Sequence, residues 1–172
     1  AVKPAAEQTR SGVVGVLATE ATFHTEMYAS VVERFASGVT VLQDPCPGLV
    51  AQIERGDLEG AHTREILEKA LSPMLAAGAD TIVMGCTHYP FVIPLIQQIT
   101  GPDVHVIDPA PAIARQVQRL LTANGLLVPG PERGEVEFLT SGDPETFHKL
   151  ITQLLHEDHA VEKVTWVDGQ LQ

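Results

Sequence analysis

Short, unbroken runs of apolar residues alternate with amphipathic segments along most of this 172-residue chain. Such runs predict strands, and the segments between them predict helices because their apolar residues recur at helical spacing. The predicted strands are residues 13–18, 39–42, 81–84 and 104–107. The predicted helices are residues 25–35, 49–54, 58–77, 89–99 and 110–122. Strands covered by helices on both faces read as continuous apolar runs, so the pattern predicts an α/β fold with a parallel sheet flanked by helices.

A smaller unit is predicted after a segment rich in Pro and Gly at residues 126–134. It consists of a strand at residues 136–139, a helix at 144–156 and a strand at 161–167. We expect this unit to be separate from the main sheet, because the intervening composition is typical of a linker.

Charge and cysteine content exclude several classes of protein. The chain has 22 acidic and 11 basic residues and a net charge of -11, which argues against a nucleic-acid-binding surface. Its apolar runs are far shorter than the roughly 20 residues needed to cross a bilayer, so we expect no membrane segment. Its two cysteines, Cys46 and Cys86, form no disulfide-rich pattern. Free thiols indicate a reducing compartment and predict a cytoplasmic protein.

The sequence Gly-Cys-Thr-His-Tyr-Pro at residues 85–90 follows one predicted strand and precedes a predicted helix. A thiol at a helix N-terminus is more easily ionised, because the N–H groups there favour negative charge. Cys86 is therefore either a reactive thiol or a cysteine of the core, and position does not decide between them. Cys86 and His88 are also spaced as in metal sites, but zinc needs three or four ligands and no cysteine pair accompanies them.

Ligands of parallel sheets bind at the carboxyl ends of the strands, and further polar residues of interest include two at such an end. Thr19 and Thr22 follow the first strand, and their hydroxyls suit either a helix cap or a ligand. Glu54 ends the apolar face of residues 49–54. It is either a solvated surface residue or a carboxylate that orients a histidine and moves a proton. Cys46, between two prolines, is interpreted as structural.

With these residues in view, the chain resembles the glutamate racemases of the aspartate/glutamate racemase superfamily. The hexapeptide at residues 85–90 is the specific part of the resemblance, and weaker matches in the same order extend over nearly the whole chain. Those matches are Lys3-Pro4-Ala5, residues 15–19, residues 46–56, residues 80–90, Ile107-Asp108-Pro109 and residues 140–143.

The resemblance implies an isomerase that interconverts L- and D-glutamate without a cofactor, to supply D-glutamate for peptidoglycan, the cell wall and cell shape. Two cysteines on opposite faces of the substrate would exchange the Cα proton, and Cys86 corresponds to the second. By the same resemblance His88 assists Cys86, Glu54 supports His88, and Thr87, His88, Thr19 and Thr22 hold the substrate.

Family members also carry a preceding half with an Asp-Ser motif, a Tyr-Gly pair and a first cysteine followed by Asn-Thr. These motifs do not occur in this sequence. The resemblance therefore implies one of two pseudo-symmetric domains at residues 1–108, and a segment at 109–172 that returns to complete the other domain. We expect the isolated chain to be inactive and to need its missing N-terminal half as a partner.

This interpretation has a consequence for the surface of the chain, and it has alternatives. Apolar residues of the returning segment should be exposed, namely Val117, Leu120, Leu121, Phe138, Ile151 and Leu154. A homo-oligomer is compatible with such a surface. The alternatives are a racemase for aspartate or hydantoins or a related decarboxylase, and a non-catalytic binding or interaction fragment.

Overall fold

The computed structural model describes residues 1–128, 130 and 134–171. Contacts between residues divide the chain into two compact units. The first comprises Ala1–Ile53 and Asp57–Leu127, and the second comprises Glu54–Gly56 and the described residues from Val128 onward. The predicted linker at residues 126–134 lies partly outside the described residues.

The first unit is built on a sheet of four parallel strands in the order β2-β1-β3-β4. Leu17 in the central strand β1 pairs with Asp44 of β2 on one side and with Met84 of β3 on the other. All four residues of β3 are buried, as the unbroken apolar run predicts. The parallel α/β fold is thus confirmed. The strands are β1 Val13–Leu17, β2 Thr40–Asp44, β3 Thr81–Met84 and β4 His105–Ile107.

Helices precede and follow these strands. Thr25 begins α3, where its hydroxyl accepts a hydrogen bond from the Tyr28 N–H at 3.2 Å, as an N-cap should. In α5, Leu67, Leu71 and Met74 are buried at helical spacing. The helices of this unit are α1 Val2–Gln8, α2 Glu20–Phe23, α3 Glu26–Phe35, α4 Leu49–Glu54, α5 Ala61–Ala76, α6 Ile93–Thr100 and α7 Ala110–Ala123.

The helix predicted at residues 89–99 is divided in the structure. A 3-10 turn covers Tyr89–Val92, and α6 follows at Ile93–Thr100. Pro90 and Pro94 each occupy the start of one of these segments. A proline favours the start of a helix, because it has no N–H to donate to the preceding turn.

The second unit contains a short parallel pair, β5 Phe138–Thr140 and β6 Val161–Lys163, connected through α8 Pro144–Leu155. The strand predicted at residues 161–167 was wrong as a single element. Its second part, β7 Trp166–Val167, pairs antiparallel with β8 Gln170–Leu171. Residues 164–165 belong to neither strand and separate β6 from β7. Between β7 and β8, Asp168 and Gly169 both have positive φ, which suits a tight two-residue hairpin turn.

The exposure predicted for the later apolar residues is confirmed in part. No residue of α7 is buried, and Val117 and Leu120 are each 49% exposed. The prediction was wrong for Ile151, which is 6% exposed because α8 packs on β6 within the second unit. Among the described residues no helix is long and apolar enough to cross a membrane.

Candidate functional site

The strand order places Thr19 and Cys86 at one edge of the sheet of the first unit. The chain passes from β1 to β2 on one side and from β3 to β4 on the other, although β1 and β3 are neighbours. A crevice forms where adjacent parallel strands send their connections in opposite directions, and ligands bind there. Thr19 follows β1 and Cys86 follows β3.

The loop that carries Cys86 begins with a close contact between strands. Gly85 donates its N–H to the Leu17 carbonyl oxygen at 2.7 Å. A Cβ at position 85 would lie 2.7 Å from the Ala18 Cβ and 3.2 Å from the Leu17 oxygen. Glycine is therefore required at this position by the closeness of β1, and it fixes where the Cys86 loop leaves the sheet.

Residues 86–88 form a bend, and the 3-10 turn begins only at Tyr89. Cys86 lies in this bend, between β3 and the 3-10 turn, which begins at the residue where the helix was predicted to begin. The side chains of Cys86 and His88 are half-buried, and Thr87 is exposed. The Thr87 hydroxyl lies 3.4 Å from Nδ1 of His88.

Tyr89 closes the other end of this loop, and sequence reasoning did not identify it as a site residue. Its side chain is 1% exposed, and its hydroxyl donates a 2.8 Å hydrogen bond to the Pro45 carbonyl oxygen. Burial raises the pKa of Tyr89, and the nearby Asp44 carboxylate acts in the same direction. The sequence feature that could have pointed to Tyr89 is its position next to apolar residues, because the hydroxyl of a buried tyrosine usually has a hydrogen-bond partner.

Cys46 lies in the turn that Tyr89 contacts. It is 1% exposed, and its N–H donates to Oδ1 of Asp44 at 2.7 Å. Burial raises the pKa of the Cys46 thiol well above its usual value, and the Asp44 carboxylate and the Cys86 thiolate charge act in the same direction. Cys46 is therefore a neutral, buried thiol at physiological pH, which supports its structural interpretation.

The two threonines after β1 contact each other, with their hydroxyl oxygens 3.0 Å apart. Thr19 occupies the N-cap position of α2 without making a side-chain cap bond, so capping does not use its hydroxyl. Thr22 lines an apolar cavity that Tyr28 and Gly85 also line. The structure thus places Thr22 beside the start of the Cys86 loop.

Glu54 is the last residue of α4, and its side chain is exposed. By its contacts it is grouped with the second unit, whereas Cys86 and His88 belong to the first. The support of His88 by Glu54 stays a prediction. Within the described part of the chain, no three His, Cys, Asp or Glu side chains cluster as metal ligands would.

A comparison with protein families identifies the family of this chain. Residues 1–117 match the model of the Asp/Glu/Hydantoin racemase family. The chain belongs to this family. It is similar to a glutamate racemase of Pseudomonas putida, with 51% identity over 162 residues that cover 94% of this chain and 61% of that relative. This racemase-family chain thus spans about three fifths of the length of that relative.

Solved structures give the same result for this racemase-family chain. A glutamate racemase isoform from Bacillus anthracis superposes with a TM-score of 0.80 at 26% identity, over 95% of this chain and 61% of that one. A glutamate racemase from Francisella tularensis, solved in complex with D-glutamate, gives a TM-score of 0.79 at 26% identity over 98% and 64% of the two chains. The fold is therefore that of the glutamate racemases.

Proposed function

We propose that this chain carries one of the two catalytic cysteines of a glutamate racemase, and that this cysteine is Cys86. The observation that carries the proposal is the position of a half-buried Cys86 after β3, in a chain 51% identical to a glutamate racemase. The Cys86 thiolate would take the Cα proton of L-glutamate. A second cysteine thiol would then deliver a proton to the opposite face of the carbanion. In the reverse direction Cys86 would act as the acid.

The neighbouring side chains have supporting roles in this proposal. His88 exchanges the proton with Cys86, Glu54 supports His88, and Thr87 binds the substrate with His88. Thr19 and Thr22 hold substrate carboxylates, because a chain with a net charge of -11 must supply its donors locally. The paired hydroxyls of Thr19 and Thr22, beside the crevice, support this assignment.

The first cysteine of the pair lies on another segment in this proposal. Cys46 does not serve as the partner of Cys86. It is 1% exposed, and its raised pKa makes the thiolate that would remove a proton scarce. Residues 1–108 form one racemase domain, and residues 109–172 complete the other together with the half that carries the first cysteine. The exposed apolar residues of α7 support a surface that is covered in the whole enzyme.

The biological role follows from the product. D-glutamate would be made in the cytoplasm, without a cofactor, for peptidoglycan and hence for the cell wall and cell shape. The similarity to enzymes named glutamate racemase supports this role.

The decisive experiment measures D-glutamate formed from L-glutamate by this chain together with the half that bears the first cysteine. We expect Cys86→Ala to lower kcat by at least about a hundredfold, since a positioned proton carrier contributes on the order of 10² to 10⁴. Cys46→Ala is the matched control, and most of kcat should remain. Racemisation that survives Cys86→Ala would contradict the proposal.

A second candidate is racemisation of aspartate or a hydantoin, which the breadth of the family model favours. The same assay with L-aspartate, L-glutamate and a 5-substituted hydantoin distinguishes these substrates by kcat/KM. If the complete pair of segments turned over none of them, the chain would instead serve as a binding or interaction module.

A further inference from the structure

The Cys86 loop is held to the rest of the first unit at both of its ends. At its start, the Gly85 N–H donates to Leu17 in β1 at 2.7 Å. At its end, the Tyr89 hydroxyl donates to Pro45, in the turn after β2, at 2.8 Å. Only residues 86–88 lie between these two attachments. Tyr89 thus connects the turn after β2 with the loop after β3 across the intervening strand β1.

The Tyr89 hydroxyl lies in surroundings that keep it a donor. The side chain is 1% exposed, and burial, together with the nearby Asp44 carboxylate, disfavours the phenolate. The neutral phenol donates a hydrogen bond to the Pro45 carbonyl oxygen and adds no negative charge near Cys86. The turn it contacts is itself fixed, because the Cys46 N–H donates to Asp44 at 2.7 Å and the Leu49 N–H donates to the Cys46 oxygen at 3.0 Å.

From this geometry we propose that Tyr89 is a positioning residue, which sets the orientation of the Cys86 thiol for proton transfer by anchoring the loop to the Pro45 carbonyl. The inference rests on the proposed function, in which Cys86 exchanges the Cα proton. Without the anchor, the Pro45 carbonyl loses its buried partner and residues 86–88 gain freedom. A displacement of about 1 Å at the reacting atoms can cost on the order of a hundredfold in rate.

The first test uses the 172-residue chain itself and measures the rate of alkylation of Cys86 by iodoacetamide between pH 6 and pH 10, by peptide mass spectrometry. We expect Tyr89→Phe to change the rate of Cys86 alkylation by at least about threefold at one or more pH values in this range. Tyr28→Phe is the matched control, since it makes the same chemical change at the other tyrosine. An unchanged Cys86 profile in folded Tyr89→Phe would overturn the proposal.

A conservative replacement keeps the test valid if Tyr89→Phe does not fold. 4-Aminophenylalanine at position 89 retains the ring and an N–H donor toward Pro45. We expect it to restore the wild-type alkylation profile, and a profile outside the wild-type range in the folded protein would overturn the anchoring role.

The second test uses the two-part racemase of the proposed function. Tyr89→Phe should lower kcat by about tenfold or more while KM changes less than threefold, because the anchor acts on the proton carrier and not on substrate contacts. If Cys86→Ala retains activity, the proposed function fails. If Cys86→Ala is inactive and Tyr89→Phe keeps full kcat, only the role of Tyr89 fails.

Discussion

The Thr9 hydroxyl donates a 2.6 Å hydrogen bond to the Asp80 carboxylate, and this contact joins the segment before β1 to the residue before β3. The N–H groups of Arg10 and Ser11 donate to the same carboxylate at 2.7 and 2.8 Å. A single acidic side chain thus holds the entry of one central strand against the entry of its neighbour.

Replacement of Asp80 by Asn should therefore lower the free energy of unfolding. We expect a loss of about 1 kcal/mol at pH 7, since hydrogen bonds to charged groups are strong but solvent weakens them here. Urea unfolding of the variant measures the loss. Asp103→Asn changes an exposed aspartate of the same unit, and it should be neutral.

The same carboxylate makes stability depend on acid pH. Burial opposes ionisation, but hydrogen bonds from Thr9, Ser11 and Arg10 outweigh it and hold the pKa of Asp80 well below its ordinary value. Because the folded pKa is depressed, the stabilisation is fully present above about pH 4, the unfolded value, and is lost as the pH falls toward the folded pKa. Wild type and Asp80→Asn should therefore converge in stability at low pH, and a constant difference from pH 7 to pH 2 would contradict this.

Gly85→Ala should destabilise the first unit and disturb the Cys86 loop. The added Cβ would lie 2.7 Å from the Ala18 Cβ, and relief of such overpacking typically costs about 1 to 3 kcal/mol. Thermal unfolding measures the cost. Gly134→Ala is the matched control, because its Cβ meets no described atom within 4 Å. Equal stability of the two variants would show that β1 does not constrain position 85.

The two thiols should differ strongly in reactivity. Cys46 is 1% exposed, and burial raises the pKa of its thiol well above the usual range, so its thiolate is scarce at pH 8. We expect iodoacetamide to modify Cys86 at least about tenfold faster than Cys46 in the native chain. The difference should vanish in urea, and comparable native rates would be inconsistent with the buried position of Cys46.

The apolar face of α7 should promote self-association of the isolated chain. Ile113, Val117 and Leu120 are 58%, 49% and 49% exposed. The double variant Val117→Ser, Leu120→Gln should sediment as a smaller species, with little change in unfolding free energy because surface substitutions usually cost less than about 0.5 kcal/mol. Arg115→Gln on the same helix is the control. A monodisperse wild-type monomer in analytical ultracentrifugation would contradict the prediction.

Periodicity was sufficient for the sheet, because β3 is a continuous apolar run and its predicted bounds match the structure. It failed at α1, Val2–Gln8, because a segment of seven residues that contains Pro4 is too short to show a helical repeat of apolar residues. It also failed where backbone details decide. The predicted helix at residues 89–99 is divided between Val92 and Ile93, and the predicted strand at residues 161–167 is interrupted at residues 164–165.

Within the candidate site, Cys86, Thr19 and Thr22 were predicted from the sequence and stay predictions, whereas Tyr89 was not predicted. The bond from Tyr89 to Pro45 joins residues 44 positions apart, and no local pattern encodes such a contact. Cys46 was interpreted as structural from its two flanking prolines, and its burial supports that interpretation.

The left-handed backbone of Cys46, with φ of 44°, has a practical consequence for protein chemistry. Glycine adopts such a conformation readily, so Cys46→Gly would remove the second thiol with little backbone strain. The resulting chain would contain one cysteine, Cys86. A fluorophore or spin label could then be attached at the candidate catalytic position without ambiguity, and the loop after β3 could be observed directly in solution.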